Sequence, residues 1–348
     1  MYATAKRLQP VEPDPRPASP FMGRPPTNVA YATPWGRMLH GKSDEILSDG
    51  SLARFAGKVN LIFTSPPFPL NRKKRYGNET GEAYIMWLCA FGPLFKEMLT
   101  PDGSIVVEMG NSWEAGKPVM STLALRALLN FQEKNGLHLC QEFIWHNPAK
   151  LPSPAQWVNV ERSRVKDSFT KLWWMSPQEK PKASNQRVLQ EYSKSMKTLL
   201  KRGTYNAGKR PSEHDISETA FLRDNGGAIP SNVLTYANTR SGDAYQTYCR
   251  DNKLQVHPAR MPSDLAKFFI RFLTDPGDIV LDPFGGSNTT GAAAEELERF
   301  WISIEASADY IKGSRGRFGE RITSDSSAAR SEFKGQTGSG HVAGSGKS

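Results

Sequence analysis

The sequence predicts an α/β fold on the strength of three observations. Short apolar runs alternate with longer amphipathic stretches, which is the pattern of strands and helices within one mixed domain. Two of the apolar runs end in loops that suit ligand binding, one rich in proline and one rich in glycine. A polar, basic segment separates these two loops. The predicted strands span residues 59–63, 104–109, 142–146, 172–175, 278–281 and 300–304, and the predicted helices span 83–99, 119–133, 263–273 and 289–297.

The chain divides into five predicted segments. A Pro-rich leader (1–30) and a Ser/Gly/Ala-rich tail (323–348) carry almost no periodic apolar pattern, so we predict that both are disordered. The basic segment at 177–255 is punctuated by glycine and proline and predicts a separate insert with weak regular structure. The α/β pattern therefore occupies 31–176 and 256–322.

The charge of the chain favours a polyanionic partner. The formal net charge is +10 and the pI is about 9.4. Ten lysines and arginines fall between Lys171 and Arg210 against only Glu179 and Glu191, and a second basic cluster at 72–75 follows the Pro-rich loop directly. Cations concentrated beside a candidate active site predict contacts with nucleic-acid phosphates.

The cysteines and the apolar runs set limits on the class of protein. Cys89, Cys140 and Cys249 lie far apart without CxxC spacing, which indicates neither a disulfide framework nor a zinc site, so no metal is expected. No apolar run approaches the roughly 20 residues that cross a bilayer, and the N-terminal stretch carries no secretory pattern. We therefore expect a cytoplasmic protein with no membrane partner.

The glycine-rich loop follows the predicted strand at 278–281. Its sequence, DPFGGS at 282–287, joins a buried strand to a helix N-terminus, which is how α/β sheets bind nucleotide-like ligands. The loop lacks both the P-loop lysine and the GxGxxG spacing, so an adenosine-like ligand without a phosphate chain fits better. Glu305, at the end of the next strand, could accept hydrogen bonds from ribose hydroxyls. An ordinary βα turn remains the alternative from these residues alone.

The proline-rich loop, TSPPF at 64–68, follows the predicted strand at 59–63. Its two prolines stiffen the backbone and remove two N–H donors while leaving their carbonyls as acceptors. A hydroxyl, a carbonyl and an aromatic ring thus lie within four residues at the ligand edge of the sheet. A proline-stiffened turn whose phenylalanine returns to the core explains the same pattern equally well.

Taken together, these motifs resemble the beta class of DNA amino-methyltransferases, and within it the N4-cytosine enzymes, over residues 30–318. Further stretches carry the resemblance: FIWHNPAKLPSP at 143–154, DNGGAIP at 224–230 and HPARMP at 257–262. The order, with the catalytic loop first and the cofactor loop last, is that of the beta class. The resemblance implies a Rossmann-like methyltransferase domain with a seven-stranded mixed sheet, in which 177–255 is the target-recognition region. It also implies S-adenosylmethionine as the cofactor and double-stranded DNA as the substrate.

The resemblance assigns the catalytic roles to the proline-rich loop. Cytosine N4 is a poor nucleophile because its lone pair is delocalised into the ring, and the Ser65 hydroxyl and Pro66 carbonyl would localise that pair by accepting its N–H groups. Pro67 completes the stiff turn, and Phe68 would stack on a base flipped from the duplex. Glu108 would accept a proton through Ser65 or only orient its hydroxyl; a role in stabilising the neighbouring loop is the alternative.

The cofactor residues follow from the second loop. Glu305 would bind the ribose, and His257 and Pro258 would shape the methionine pocket, with His257 structural. One departure from the family lies at Lys42, where an aspartate near the adenine is expected. The methionine side of the cofactor would be lined by Asp282, Phe284, Gly285, Gly286, Ser287 and Asn288.

Residues of both basic clusters are the candidate DNA contacts. Motif resemblance in the target-recognition region predicts a CAGCTG-like palindrome within a restriction–modification system. A monomer could methylate both strands in turn, so we expect a monomer with no stable complex with a cognate endonuclease. The candidates are Arg72, Lys73, Lys74, Arg75, Arg210, His214, Arg223 and Asn225.

Three alternatives stay open from the sequence. An N6-adenine methyltransferase uses the same geometry, but Ser65 and Phe68 favour cytosine over the Asp or Asn and the Tyr more frequent in adenine enzymes. An inactive, DNA-binding methyltransferase fold is a second alternative, and an RNA methyltransferase is a third. C5-cytosine transfer is disfavoured because none of the three cysteines follows a proline.

Overall fold

A nine-stranded mixed sheet forms the centre of the protein. The computed structural model describes residues 17–22, 26–68, 81–209, 211–213, 215–238 and 243–323. The strands are β1 (Val29–Thr33), β2 (Gly36–His40), β3 (Val59–Thr64), β4 (Leu99–Gly110), β5 (His138–His146), β6 (Phe169–Ser176), β7 (Val233–Thr235), β8 (Ile279–Asp282) and β9 (Phe300–Glu305). Their order across the sheet is β1-β2-β9-β8-β3-β4-β6-β5-β7. The α/β class is therefore confirmed, with short edge strands β1 and β7 beyond the seven that the resemblance implies.

The direction of the strands places the ligand edge of the sheet. Strand β6 runs antiparallel between β4 and β5, and β1 runs antiparallel to β2, while the other neighbouring pairs are parallel. The carboxyl ends of β3, β4, β8 and β9 consequently meet at one edge, where open α/β sheets bind their ligands. All six predicted strands are confirmed and lie inside this sheet.

Eight α-helices connect and cover the strands. Three of the four predicted helices agree with the structure at both ends within two residues. The predicted start at 119 of the other is wrong, because residues 120–121 pair with 112–113 in a hairpin and the helix begins at Leu123. The helices are α1 (Ser43–Ser48), α2 (Gly81–Met98), α3 (Leu123–Lys134), α4 (Lys194–Arg202), α5 (Ala244–Asp251), α6 (Ser263–Leu273), α7 (Thr289–Glu296) and α8 (Ala308–Ser314).

The sheet is buried on both faces by these helices. On one face, α2 and α3 contribute rings such as Phe91, Phe95 and Phe131 to a large apolar cluster. On the other, α6 and α7 cover Phe63 and Trp301. Burial on both faces explains why the central strands read as continuous apolar runs rather than alternating ones.

The described residues of the predicted leader and tail contact the α/β domain. Phe21 is buried, with its ring centroid 5.5 Å from that of Phe55 and 6.0 Å from that of Phe300. Strand β1 begins at Val29, inside the predicted leader. At the other end, the Thr323 amide donates to the Ala32 carbonyl at 2.9 Å. The packing of the Phe21 ring thus holds this segment against the domain despite the prolines around it.

The two ends of the predicted insert pack against the α/β domain. Lys182 forms ion pairs of 2.7 Å with Asp275 and 2.6 Å with Asp278, at the start of β8. In α5, Tyr245 and Cys249 are fully buried against the segment that follows α8. Within 177–255, Lys182 and α5 thus contact the α/β domain. None of the helices in the described ranges could cross a membrane, and no cluster of metal-ligating side chains occurs there.

Candidate active site

A cavity of about 600 Å³ opens at the carboxyl edge of the sheet and brings both predicted loops together. The proline-rich loop and Glu108 form one wall, and the glycine-rich loop and Glu305 form another. Asn288 is the exception among the predicted cofactor residues, since it is fully buried behind the loop. The predicted residues that line the cavity are Ser65, Pro66, Pro67, Phe68, Glu108, His257, Pro258, Asp282, Phe284, Gly285, Gly286, Ser287 and Glu305.

Asp282, the last residue of β8, connects the two loops. Its Oδ1 accepts hydrogen bonds from the Thr64 hydroxyl at 2.9 Å and the Phe284 amide at 3.1 Å, and its Oδ2 accepts from the Thr290 hydroxyl at 2.7 Å. Burial raises the pKa of Asp282 to about 6, while these three hydrogen bonds oppose the rise. Because Thr64 directly precedes Ser65, Asp282 fixes the proline-rich loop relative to the glycine-rich loop.

The glycine-rich turn has no room for larger side chains. Gly286 has a φ of +51°, and a Cβ there would lie 3.1 Å from His257 Nε2. Asn288 also adopts the left-handed conformation and supports the turn from behind. Its Oδ1 accepts from the Gly291 amide at 3.1 Å and the Ser303 hydroxyl at 2.8 Å. Asn288 therefore caps α7, and its side chain shapes the loop from the protein interior.

Glu305 stands at the end of β9, beside β8, with its carboxylate at the cavity wall. Its Oε2 accepts from the Gly286 amide at 2.8 Å, and its Oε1 accepts from the Ser307 amide at 2.7 Å. Burial raises the pKa of Glu305, and these backbone hydrogen bonds oppose the rise. Each oxygen keeps a lone pair for a ligand hydroxyl, as a ribose-binding role requires.

Ser65 and Glu108 meet on the opposite wall. Glu108 is only 4% exposed, and burial raises its pKa, whereas the Ser65 and Thr170 side chains and the charge of Lys150 oppose the rise. The Phe68 ring lies over Gly110 at the end of β4, where a Cβ would approach the ring to 3.2 Å. Phe68 is half-buried and lines the cavity.

A charged network that the sequence did not reveal lines the same cavity. Lys150 Nζ lies 3.1 Å from Asp167 Oδ2, and Asn111 Nδ2 donates to Asp167 Oδ1 at 2.9 Å. Lys171 in turn donates to Asn111 Oδ1 at 3.1 Å. These residues come from three separate places in the chain, so their spacing in the sequence does not indicate the network. The one part that lies in a motif quoted above is Lys150, within HNPAKLPSP.

The glycine-rich loop is also supported by Arg317, which follows α8 and packs on Tyr245 of α5. Arg317 donates to the Ser287 carbonyl at 2.6 Å and to its hydroxyl at 3.0 Å, and its guanidinium lies 4.8 Å from the centroid of the Tyr245 ring. The Tyr245 hydroxyl accepts from the His257 amide at 2.9 Å. The His257 ring packs edge-on against Tyr310 at 4.4 Å between centroids, in agreement with a structural role.

Lys42 lies at the cavity rim, at the start of α1. Its ammonium forms an exposed ion pair of 2.8 Å with Glu45. The neighbouring Ser43 hydroxyl donates to the Pro283 carbonyl, which fixes the start of α1 against the glycine-rich loop. Position 42, where the resemblance implies an aspartate, therefore lies beside the glycine-rich loop and is occupied by a lysine.

The candidate DNA-binding residues fall outside the cavity or outside the described residues. Arg223 and Asn225 are exposed in the insert, and neither lines the cavity. The Asn225 amide donates to the Tyr192 hydroxyl at 2.8 Å. The candidates that lie outside the described residues are Arg72, Lys73, Lys74, Arg75, Arg210 and His214.

The sheet, the cavity and the two loops define a DNA methylase. The family profile named N6_N4_Mtase, DNA methylase, matches residues 59–315, and the chain belongs to this family. It is 43% identical to the type II methyltransferase M.PvuII of Proteus hauseri over 292 residues, which cover 83% of this chain and 85% of that protein.

Other known proteins share smaller parts of the chain. Identity to the type II methyltransferase M.BglII of Bacillus subtilis is 26% over 259 residues, covering 73% of this chain and 61% of that protein. Identity to the DNA adenine methyltransferase YhdJ of Escherichia coli is 42% over 84 residues, covering 24% and 26%. Among solved structures, the cytosine-N4-specific PvuII DNA methyltransferase aligns with a TM-score of 0.67 and 37% identity, over 84% of this chain and 89% of that one.

Proposed function

We propose that this protein transfers a methyl group from S-adenosylmethionine to the N4 amino group of a cytosine flipped out of double-stranded DNA. The observation that carries the proposal is the pairing of Ser65 with buried Glu108 in the cavity that also contains Glu305 and the glycine-rich loop. The likeness to M.PvuII and to the cytosine-N4-specific structure supports the choice of base.

The residues of the second wall fit S-adenosylmethionine. Glu305 presents two carboxylate oxygens to the cavity, and the turn at Gly285 and Gly286 leaves space that a side chain would fill. Ligand cavities of about 300–1,000 Å³ hold molecules of this size. When bound, the cofactor supplies an electrophilic methyl group on a sulfonium. Glu305 would bind its ribose, and the loop at 284–287 would hold its methionine part.

The chain's own residues prepare the amine. The Ser65 hydroxyl and the Pro66 carbonyl accept the two N–H groups of N4, which favours a tetrahedral nitrogen with a localised lone pair. Phe68 stacks on the cytosine ring and holds the amine in line with the methyl group. Ser65 passes the proton that N4 releases to the buried Glu108 carboxylate.

The deciding experiment is incubation of the protein with a plasmid and labelled cofactor, followed by mass analysis of the nucleosides. N4-methylcytosine is the expected product. A product at N6-methyladenine would establish the second candidate function, which the local likeness to YhdJ favours. Absence of any methylated nucleoside would contradict both and favour an inactive DNA-binding fold.

The target-recognition region is proposed to select a CAGCTG-like palindrome as part of a restriction–modification system. A monomer that methylates each strand in turn suffices, without a stable complex with an endonuclease, and the cytoplasm is the proposed site of action. Arg223 and Asn225 are exposed and suited to phosphate or base-edge contacts. Sequencing of the methylated plasmid after bisulfite treatment would reveal the site.

Helix α4 is proposed to contact DNA phosphates. The helix contains no acidic residue and no buried residue, and Ser193 and Gly203 cap its ends. Replacing Lys194, Lys201 and Arg202 with glutamine is expected to weaken binding to any duplex and to reduce the salt dependence of log K by about 0.9 per lost contact. Fluorescence anisotropy at several salt concentrations measures both effects.

The control for this prediction is Lys312→Gln, which removes an exposed cation from α8. The control should leave the salt slope unchanged. If the triple α4 variant binds duplex DNA with the slope of the unsubstituted protein, α4 lies away from the DNA.

A further inference from the structure

A loop at 147–168, here called the rim loop, forms part of the catalytic cavity and also projects from it. Lys150 and Ser153 on its outgoing limb, and Asp167 and Ser168 on its return limb, line the cavity. The first part of the return limb, residues 161–166, is exposed throughout. The rim loop therefore joins the proposed base pocket to the outer surface where a duplex would lie.

The rim loop is held in place by hydrogen bonds between its limbs. The Asn147 amide donates to the Ser168 carbonyl at 2.8 Å, and the Asp167 amide donates to the Ser153 carbonyl at 3.0 Å. Arg164 donates to the Pro118 carbonyl at 2.9 and 3.2 Å, which fixes the return limb to the hairpin at 112–121. Prolines at 148, 152 and 154 restrict the outgoing limb further.

Leu151 extends into solvent from this stiff limb. Its side chain is 81% exposed, although its neighbour Lys150 contacts Asp167 in the cavity wall. Single exposed leucines are common on protein surfaces and need no explanation by themselves. This leucine differs in its setting, because a braced loop holds it one residue from the wall of the proposed base pocket.

The exposed charged side chains of the rim loop are predominantly cationic, which is complementary to the charge of a duplex. Arg162, Arg164 and Lys166 are exposed on the return limb, and Glu161 is the acidic residue among positions 161–166. Cations of this kind contact phosphates on both sides of a site where apolar side chains enter the base stack.

We infer that Leu151 is the side chain that enters the duplex and fills the space left by the target base when that base enters the cavity. The inference rests on the proposed function, because only an enzyme that flips its target needs such a residue. Apolar side chains that insert between base steps offset part of the lost stacking. The cost of keeping Leu151 in water is recovered on insertion, when its surface is covered by the bases on either side.

The test compares Leu151→Ala with Val160→Ala, which truncates another apolar side chain of the rim loop that is 69% exposed and does not line the cavity. The probes are three versions of a CAGCTG duplex, or of the site mapped on the plasmid if it differs. In the fluorescent duplex, 2-aminopurine replaces the target cytosine. In the paired duplex the target cytosine faces guanine, and in the abasic duplex it faces an abasic site.

On the paired duplex, Leu151→Ala should lose about tenfold to a hundredfold in kcat/KM, the range expected for one side chain stacked in DNA. It should also lose the rise in 2-aminopurine fluorescence that the unsubstituted protein produces. Opposite the abasic site, the variant should recover to within about threefold of the unsubstituted protein, because the target cytosine is already unpaired and costs less to flip. Val160→Ala should behave as the unsubstituted protein on both duplexes.

Two results would overturn the inference. The first is unchanged kcat/KM and fluorescence for Leu151→Ala on the paired duplex, and the second is an equal loss on both duplexes, which indicates an ordinary DNA contact. Nucleoside analysis of the reaction with the unsubstituted protein distinguishes failure of the proposed function from failure of the role inferred for Leu151. A lack of N4-methylcytosine there contradicts the proposed function, whereas the fluorescence comparison tests Leu151 independently of the product.

Discussion

Glu108→Gln is expected to lower kcat by about 10²–10⁴-fold, the range in which a positioned proton acceptor contributes. The carboxylate must be ionised to accept a proton from Ser65, and burial raises the pKa of Glu108 above the ordinary carboxyl range. In the unsubstituted protein, kcat should therefore rise with pH through that raised pKa and reach a plateau above it. The glutamine variant should show a low rate that does not depend on pH in this range. Single-turnover rates of methyl transfer between pH 5 and 9 measure both effects.

A pair of lysine variants separates proton acceptance from simple support of the loop. The charge of Lys150 lowers the pKa of Glu108, so Lys150→Met should move the rising part of the pH profile to higher pH. Lys171→Met removes a cation from the same network through Asn111 and serves as the matched control, with no such displacement expected. Near-normal turnover of Glu108→Gln at every pH would show that Glu108 only supports the loop.

The central strands were predictable because burial on both faces imposes continuous apolar runs. Strands β3, β8 and β9 lie in the middle of the sheet, where each residue packs against helices on either side. The short edge strands carry no such signal. Strand β7 has only three residues, of which Leu234 alone is buried, so its pairing with β5 depends on tertiary contacts rather than on local pattern.

The candidate site was likewise predictable from the sequence only in part. Ser65, Gly286 and Glu305 were identifiable because each follows a predicted strand and therefore must lie at the ligand edge of the sheet. The link between Lys150 and Asp167, and the contact of Phe68 with Gly110, join residues from different strands and loops. Their association depends on the register between strands, which the composition of each segment does not determine. The ion pairs of the insert with β8 were missed for the same reason.

Asp282→Asn is expected to remove a fall in stability between about pH 4 and pH 6 and, at the same time, to weaken cofactor binding. Burial raises the pKa of Asp282 from 3.8 to about 6, so the folded chain holds this proton more tightly than the unfolded chain. The free energy of unfolding should therefore fall as pH rises from about 4 to about 6, by up to about 3 kcal/mol from this group at about 1.4 kcal/mol per unit of pKa. Asparagine does not titrate and lacks this slope.

Cofactor binding should weaken because asparagine offers one acceptor oxygen where the aspartate offers two. Thr64, Thr290 and the Phe284 amide all donate to Asp282, and an amide group must leave at least one of them poorly paired. The cofactor loop and the loop containing Ser65 would then lose their common support, and we expect cofactor affinity to fall about tenfold, the effect of one lost hydrogen bond to a charged group.

Urea unfolding of both proteins at intervals between pH 4 and 8, with calorimetric titration of S-adenosylmethionine at pH 7.5, measures the two effects. Asp309→Asn removes an exposed carboxylate from α8 and controls for the loss of one negative charge. The stability difference between Asp282→Asn and the unsubstituted protein should grow with pH and level off above about 6. Parallel stability profiles would show that the pKa of Asp282 is the same in the folded and unfolded chains, and that burial does not raise it.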